Sequence, residues 1–251
     1  MTGRGRRARL STFLRSFLIQ GSWNNRTMLG GGFAFSVLPV LRQIHRGDPS
    51  GFQQALQRHA EHFNSHPYLA NLALGAACQM EEEGRDPEEI RRFKLAIRGP
   101  LGSLGDALVW VGWRPATVLA TLALGLAGAP PLFTVFFFLI LYNVGHLLLR
   151  VWGFRVGLER GSQVGDSLRA VAFSKQADRF ASVGVFLLGG LVGLTLGRGW
   201  AFESWPLLLL VVAGGIWGFW LGGLVGQKGW RWTFWGISGA IGLIFLVGWI
   251  G

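Results

Sequence analysis

The sequence predicts an all-α integral membrane protein with a polar N-terminal portion, and three observations carry that prediction. Half of the 251 residues are hydrophobic while only 15% are charged, and the chain holds 39 Gly and 12 Trp. A soluble domain of this length carries more charge, so the apolar excess faces lipid. The apolar residues are also unevenly spread: from Ala107 onward the acids are Glu159, Asp166, Asp178 and Glu203 alone. Finally, the net charge is +11, and the arginines at 4, 6, 7, 9, 15, 26, 42 and 46 precede the first acid, Asp48. Such a basic run suits either nucleic acid or anionic lipid. No nucleic-acid-binding motif accompanies it, so the simpler reading is an N-terminus held on the cytoplasmic face.

Taken in order, Leu10 to Leu41 places Phe13, Leu14, Phe17 and Leu18 together at helical spacing, with Arg9, Arg15 and Arg26 toward headgroups. This is the pattern of an interfacial amphipathic helix, broken by the polar cluster Gln20–Asn24. A second segment, Met28 to Ile44, is apolar enough to be buried, though Gly30-Gly31-Gly32 and Pro39 interrupt it and leave it too short and broken for a span. Pro49 to Gly84 reads as helices of a small cytoplasmic region. Phe52 to Phe63 forms one, ended before Pro67, and Tyr68 to Met80 forms another, built of small residues for close packing. Asp86-Pro87 supplies an N-cap and a first-turn proline for the next helix.

The segment Gly99–Asp106 divides the chain into an N-terminal region, 1–98, and a transmembrane domain, 99–251. Its three glycines and Pro100 predict a broken element, after which Asp106 either caps a helix starting at Ala107 or lies in a polar break at membrane depth. Five apolar segments follow, at about Ala107–Gly128, Pro131–Val151, Ala181–Leu196, Pro206–Val225 and Thr233–Ile250. Each approaches the roughly 20 residues of a span. With a cytoplasmic N-terminus, five crossings put Arg150, Arg155, Arg160, Arg169, Lys175, Arg179, Lys228 and Arg231 inside. Arg114-Pro115 leaves a re-entrant hairpin open for the first segment. Gly189-Gly190-x-x-Gly193, Gly214-Gly215-x-x-Gly218 and Gly222-Gly223-x-x-Gly226 read as packing faces. Trp200, Trp205, Trp230, Trp232 and Trp235 read as an aromatic belt.

No catalytic constellation emerges, and no metal or cofactor is implied. His45, His59, His62, His66 and His146 are scattered, and His59 with His62 reads as a solvated helix face. Cys78 is alone, which excludes a disulfide framework, and no cleavable leader is expected. The informative residues are the polar ones within apolar sequence: Asp106 and Arg114, natural partners for each other or for a polar solute, and Asn143 with His146, one turn apart. Interhelical hydrogen bonding that fixes packing accounts for them equally well.

Several motifs occur in a telling order: Gln20-Gly21-Ser22-Trp23-Asn24, Arg26-x-Met28, Arg58-His59 with Phe63-Asn64 and Pro67, Gly99-Pro100-Leu101 with Gly105-Asp106, Trp110 with Arg114-Pro115, and Asn143 with Arg150 and Gly153. Together, over about residues 12 to 195, they resemble the IID membrane component of the mannose/fructose/sorbose family of the bacterial sugar phosphotransferase system (PTS). The resemblance implies a multi-pass protein of the bacterial inner membrane, without catalytic activity of its own. It would pair with a IIC subunit to translocate a hexose that separate IIA and IIB proteins phosphorylate. Trp23, Asn24, Asn64, Asp106, Arg114 and Asn143 are then the candidates for contact with sugar or with IIC. Departures at His146 and Arg98, and a short loop at Arg198–Trp205, keep open a regulatory or scaffold subunit that no longer transports.

Overall fold

The computed structural model describes residues 3–199, which are helical apart from short connections and two isolated bridges. Residues up to Leu187 form one compact unit, and the helix that ends the described region enters a second at Leu188. The segments expected at Pro206–Val225 and Thr233–Ile250, the tryptophan belt and the last two glycine repeats lie outside the described residues.

The single amphipathic helix expected over Leu10–Leu41 is instead two packed helices, α1 (Gly3–Arg15) and α2 (Gly30–Ile44), joined by a 3-10 turn at Ser16–Leu18 and an irregular strap. The three glycines do not interrupt α2; they open it. A Cβ on Gly32 would lie 1.8 Å from the Ile19 carbonyl oxygen, and one on Gly30 would lie 2.3 Å from that of Glu61. Only hydrogen fits where the helix start is wedged between strap and neighbour. α2 buries Phe33, Val37, Val40 and Leu41 in the core, as expected from the apolar character of Met28–Ile44. In α3 (Pro49–Ala60) the Asp48 carboxylate caps the Gly51 N–H at 2.9 Å.

α4 (Ala70–Glu82) is the hub. Ala70 through Cys78 are all buried, and the small side chains let other helices approach from every side. α5 (Pro87–Gly105) starts as expected, with Asp86 accepting from the Glu88 and Glu89 N–H groups at 3.1 Å each. At Gly99–Asp106 the structure corrects the sequence reading. The chain stays helical through Pro100, then widens into a π-helical stretch, Asp106–Trp113, and resumes as α6 (Arg114–Leu126). Asp106 therefore sits in mid-helix and caps nothing. The widening has a local cause, because Pro115 has no N–H to donate. Just before it the Arg114 N–H reaches back five residues to the Val109 carbonyl. Gly105 serves contact rather than freedom: a Cβ there would lie 2.2 Å from His66 Cβ.

α7 (Pro131–Arg160) has two characters. Its first half exposes Leu132, Phe133, Val135, Phe136, Leu139 and Ile140. Its second half crosses α4 through glycines, where a Cβ on Gly157 would meet the Leu72 carbonyl oxygen at 2.3 Å and the Ala76 nitrogen at 2.7 Å. A 3-10 turn, α8 (Val164–Val171) and α9 (Phe173–Gly199) complete the described chain. Two continuous helical runs, Pro87–Leu126 and Pro131–Val171, are long and apolar enough to cross a membrane.

Candidate functional site

The strap between α1 and α2 is rigid because Asn24 makes it so. Its side-chain oxygen accepts from the N–H groups of Arg26 (3.0 Å) and Thr27 (2.9 Å), and its amide donates to the Ser22 carbonyl and the Thr27 hydroxyl. Met28, in a left-handed conformation (φ 52°), bridges to Phe63, and the Leu29 N–H donates to the Phe63 carbonyl at 2.9 Å. This pins the Trp23–Asn24 segment to the one that carries Asn64. Two residues past Asn64, His66 packs on Gly105, and Asp106 follows directly. Asn24, Asn64 and Asp106 thus belong to adjoining segments.

The other expectations fare differently. Asp106 and Arg114 do not pair; Arg114 lies over the Trp110 ring, 5.2 Å from its centre. Asn143 and His146 make no hydrogen bond to each other: Asn143 is exposed and its amide turns back to the Leu139 carbonyl at 2.7 Å, while His146 is part-buried against Tyr68. All six candidates, Trp23, Asn24, Asn64, Asp106, Arg114 and Asn143, present exposed side chains. None makes a side-chain hydrogen bond or ion pair to another helix of the described chain.

Sequence reasoning missed the aromatic group behind them. Arg150 is buried and donates to the Ser16 carbonyl (3.0 Å) and the Asn71 side chain (3.4 Å), with its guanidinium over the rings of Phe17 and Tyr68. Tyr68 in turn faces His66, His146 and Trp110, and its hydroxyl meets that of Tyr142 at 2.9 Å. The usable signal was the four-residue spacing of His146 and Arg150, which puts both on the face of α7 that meets Tyr68. Beside this group lies a cavity of about 360 Å³, walled by Tyr68, Trp113, Tyr142, His146, Trp152 and Phe180 among others.

A second missed cluster is ionic. The Glu81 carboxylate takes Arg58 Nη2 at 2.6 Å and His59 Nε2 at 2.8 Å, and all three side chains are buried. Lys94 closes it by donating to the Arg58 and His59 carbonyls at the end of α3. The expectation of a solvated His59–His62 face is thus half wrong, because His59 is fully buried and stacked on Phe33 while His62 is exposed beside Arg98. Burial drives the His59 pKa down to about 4, the nearby Arg58 and Lys94 charges adding to it against Glu81. Burial pushes Glu81 upward, yet the hydrogen bonds and charges of His59 and Arg58 outweigh it and hold the carboxyl below its ordinary value. Burial raises the Cys78 thiol, which leaves it unreactive. Among the described residues no three His, Cys, Asp or Glu side chains group to hold a metal.

The family described as the PTS system mannose/fructose/sorbose family IID component matches residues 5–197. The chain belongs to this family. Its relatives include the mannose-specific EIID component of Escherichia coli strain K12, 32% identical over 202 residues, covering 78% of this chain and 69% of that one. The fructose permease IID component of Bacillus subtilis is 33% identical over 189 residues, 72% of this chain and 67% of its own. The sorbose-specific EIID component of Klebsiella pneumoniae is 30% identical over 192 residues, 73% and 68%. The fold resembles a chain of the cryo-EM structure of the mannose transporter ManYZ with microcin E492, with TM-score 0.58, 31% identity, and 76% and 70% of the two chains covered. A second solved structure, described as a membrane protein, aligns with TM-score 0.67 at 32% identity, covering 76% and 71%. This IID chain is accordingly a membrane transport component of a PTS complex. The matched span contains the strap, the seam between the two regions (residues 99–114), the aromatic group and the ionic cluster. Relatives named for mannose, fructose and sorbose resemble it about equally, so likeness alone does not choose a sugar.

Proposed function

We propose that this IID chain pairs with a IIC membrane subunit to carry a hexose inward, with the sugar phosphorylated by separate IIA and IIB proteins and no catalytic step on this chain. It lies in the bacterial inner membrane, crossing it several times, with its arginine-rich N-terminus on the cytoplasmic side. One observation carries the reading. Six polar or amphipathic residues, Trp23 and Asn24 on the strap, Asn64 before α4, Asp106 and Arg114 at the seam and Asn143 on α7, are exposed and have no side-chain hydrogen bond or ion pair to another helix of the described chain. Polar groups on apolar helices are expensive in lipid, so their placement favours a second subunit or a bound sugar over internal packing. The aromatic face of Trp23 beside Asn24, and Asp106 near Asn64, are the groups a sugar's hydroxyls and ring would use.

The test is co-purification with a IIC subunit in mild detergent, followed by radiolabelled mannose binding to wild type, Asp106→Asn and Arg114→Leu. A complex that binds sugar and loses it with either change supports the reading. A stable complex that binds no hexose points to a regulatory subunit, and failure to form any complex overturns the pairing.

A further inference from the structure

We propose that the cavity between α7, α9 and the π-helical stretch binds one acyl chain of an anionic phospholipid. Its walls are almost wholly apolar, with Leu149, Trp152, Phe173 and Phe180 contributing. That lining excludes a sugar or an anion as occupant, because their polar groups would find few partners. The volume of about 360 Å³ would take about twelve waters at roughly 30 Å³ each, and a cavity with apolar walls stays dry. A methylene needs similar room, so about a dozen chain carbons fit.

One further observation, charge, names the rest of the molecule. Arg155 follows cavity-lining Trp152 by three residues on α7, Lys175 adjoins Gln176 in sequence on α9, and Arg179 adjoins Phe180. All three cations are exposed and form no ion pair among the described residues, although Glu159, Asp166 and Asp178 lie on the same segments. They are the complement of a phosphate headgroup. The inference needs only that the chain lies in a membrane, and it stands whether or not hexose transport is retained.

The experiment uses the full chain with its partner subunit in lipid nanodiscs. The probes are phosphatidylglycerol and phosphatidylcholine, each with a diazirine on the acyl chain, and crosslinked peptides are mapped by mass spectrometry. Phosphatidylglycerol should label the Trp152 and Phe180 peptides several-fold more than phosphatidylcholine does. Gln176→Trp, which fills the cavity from α9, should cut that labelling about tenfold while leaving the lipid-facing stretch Phe133–Ile140 unchanged. The exposed pair Lys175→Gln and Arg179→Gln, which leaves the packing alone, should bring the two probes to equality. Labelling confined to the outer face of α7, or undiminished in Gln176→Trp, overturns the site. Equal labelling of the wild type by both probes overturns the anionic headgroup.

Discussion

Replacing Glu81 with leucine should destabilise the helical core by about 3–5 kcal/mol, because it strands a buried guanidinium. Arg58 is 5% exposed and its Nη2 lies 2.6 Å from the carboxylate, while Arg58 Nε already lacks a partner among the described residues. The same change removes the acceptor for His59 Nε2, at 2.8 Å. For a chain of this size such a loss lowers the melting temperature by about 6–20 °C. The decisive comparison is the double variant Glu81→Leu, Arg58→Leu, in which both charges are gone and apolar side chains fill their places. Buried pairs replaced together are often neutral, so at least half of the lost stability should return. Thermal denaturation in detergent, followed by size-exclusion recovery of folded protein, reads Glu81→Leu, Arg58→Leu and the double variant. A double variant as unstable as the sum of its parts would refute the reasoning, since the carboxylate would then act through packing rather than by neutralising Arg58.

Three further outcomes are expected. The folded pKa of His59 near 4 lies below its ordinary 6.5, so between these values the unfolded chain binds the extra proton. Stability then rises with pH across the window, is complete above 6.5, and loses up to about 3 kcal/mol toward pH 4. His66, lowered likewise to about 4 by burial, adds to this slope, so melting curves of His59→Phe should retain part of the pH dependence rather than none or all. Gly157→Val, forced against the Leu72 carbonyl, should cost about 1–3 kcal/mol or prevent folding, read by the yield of monodisperse protein. Asn24→Ala removes four hydrogen bonds within the strap. It should leave the melting temperature within a few degrees yet weaken capture of the IIC subunit, measured by affinity co-purification.

Helical class, the Asp86 cap and the tight small-residue helix at α4 were all legible, since each depends on local spacing and residue size. The seam was misread for a physical reason. Glycine and proline mark places where a helix is weak, but the contacts that keep it helical come from His66 and from α9, far away in sequence. The same holds for Gly30–Gly32, where close approach to Ile19 and Glu61 looks in sequence like a break. His59 and Glu81 are separated by 22 residues, and no helical periodicity could have joined them. Of the site, the sequence singled out the outward-facing residues, which stand out as polar among apolar neighbours. It missed Tyr68 and Tyr142, whose hydroxyls meet across 74 residues of sequence, a pairing no local spacing shows.

The crossing of Gly75 with Gly157 also sets a timetable for biogenesis. About 80 residues separate these glycines, so a ribosome adding roughly 5–20 residues per second leaves α4 without its principal neighbour for about 4–16 s. Throughout that interval the face of α4 at Leu72, Gly75 and Ala76, which α7 later covers, must be shielded by something other than α7. Nascent chains arrested before α7 emerges should therefore be the ones bound by insertion factors and cleared by membrane proteases, and release should coincide with synthesis of Gly153 and Gly157.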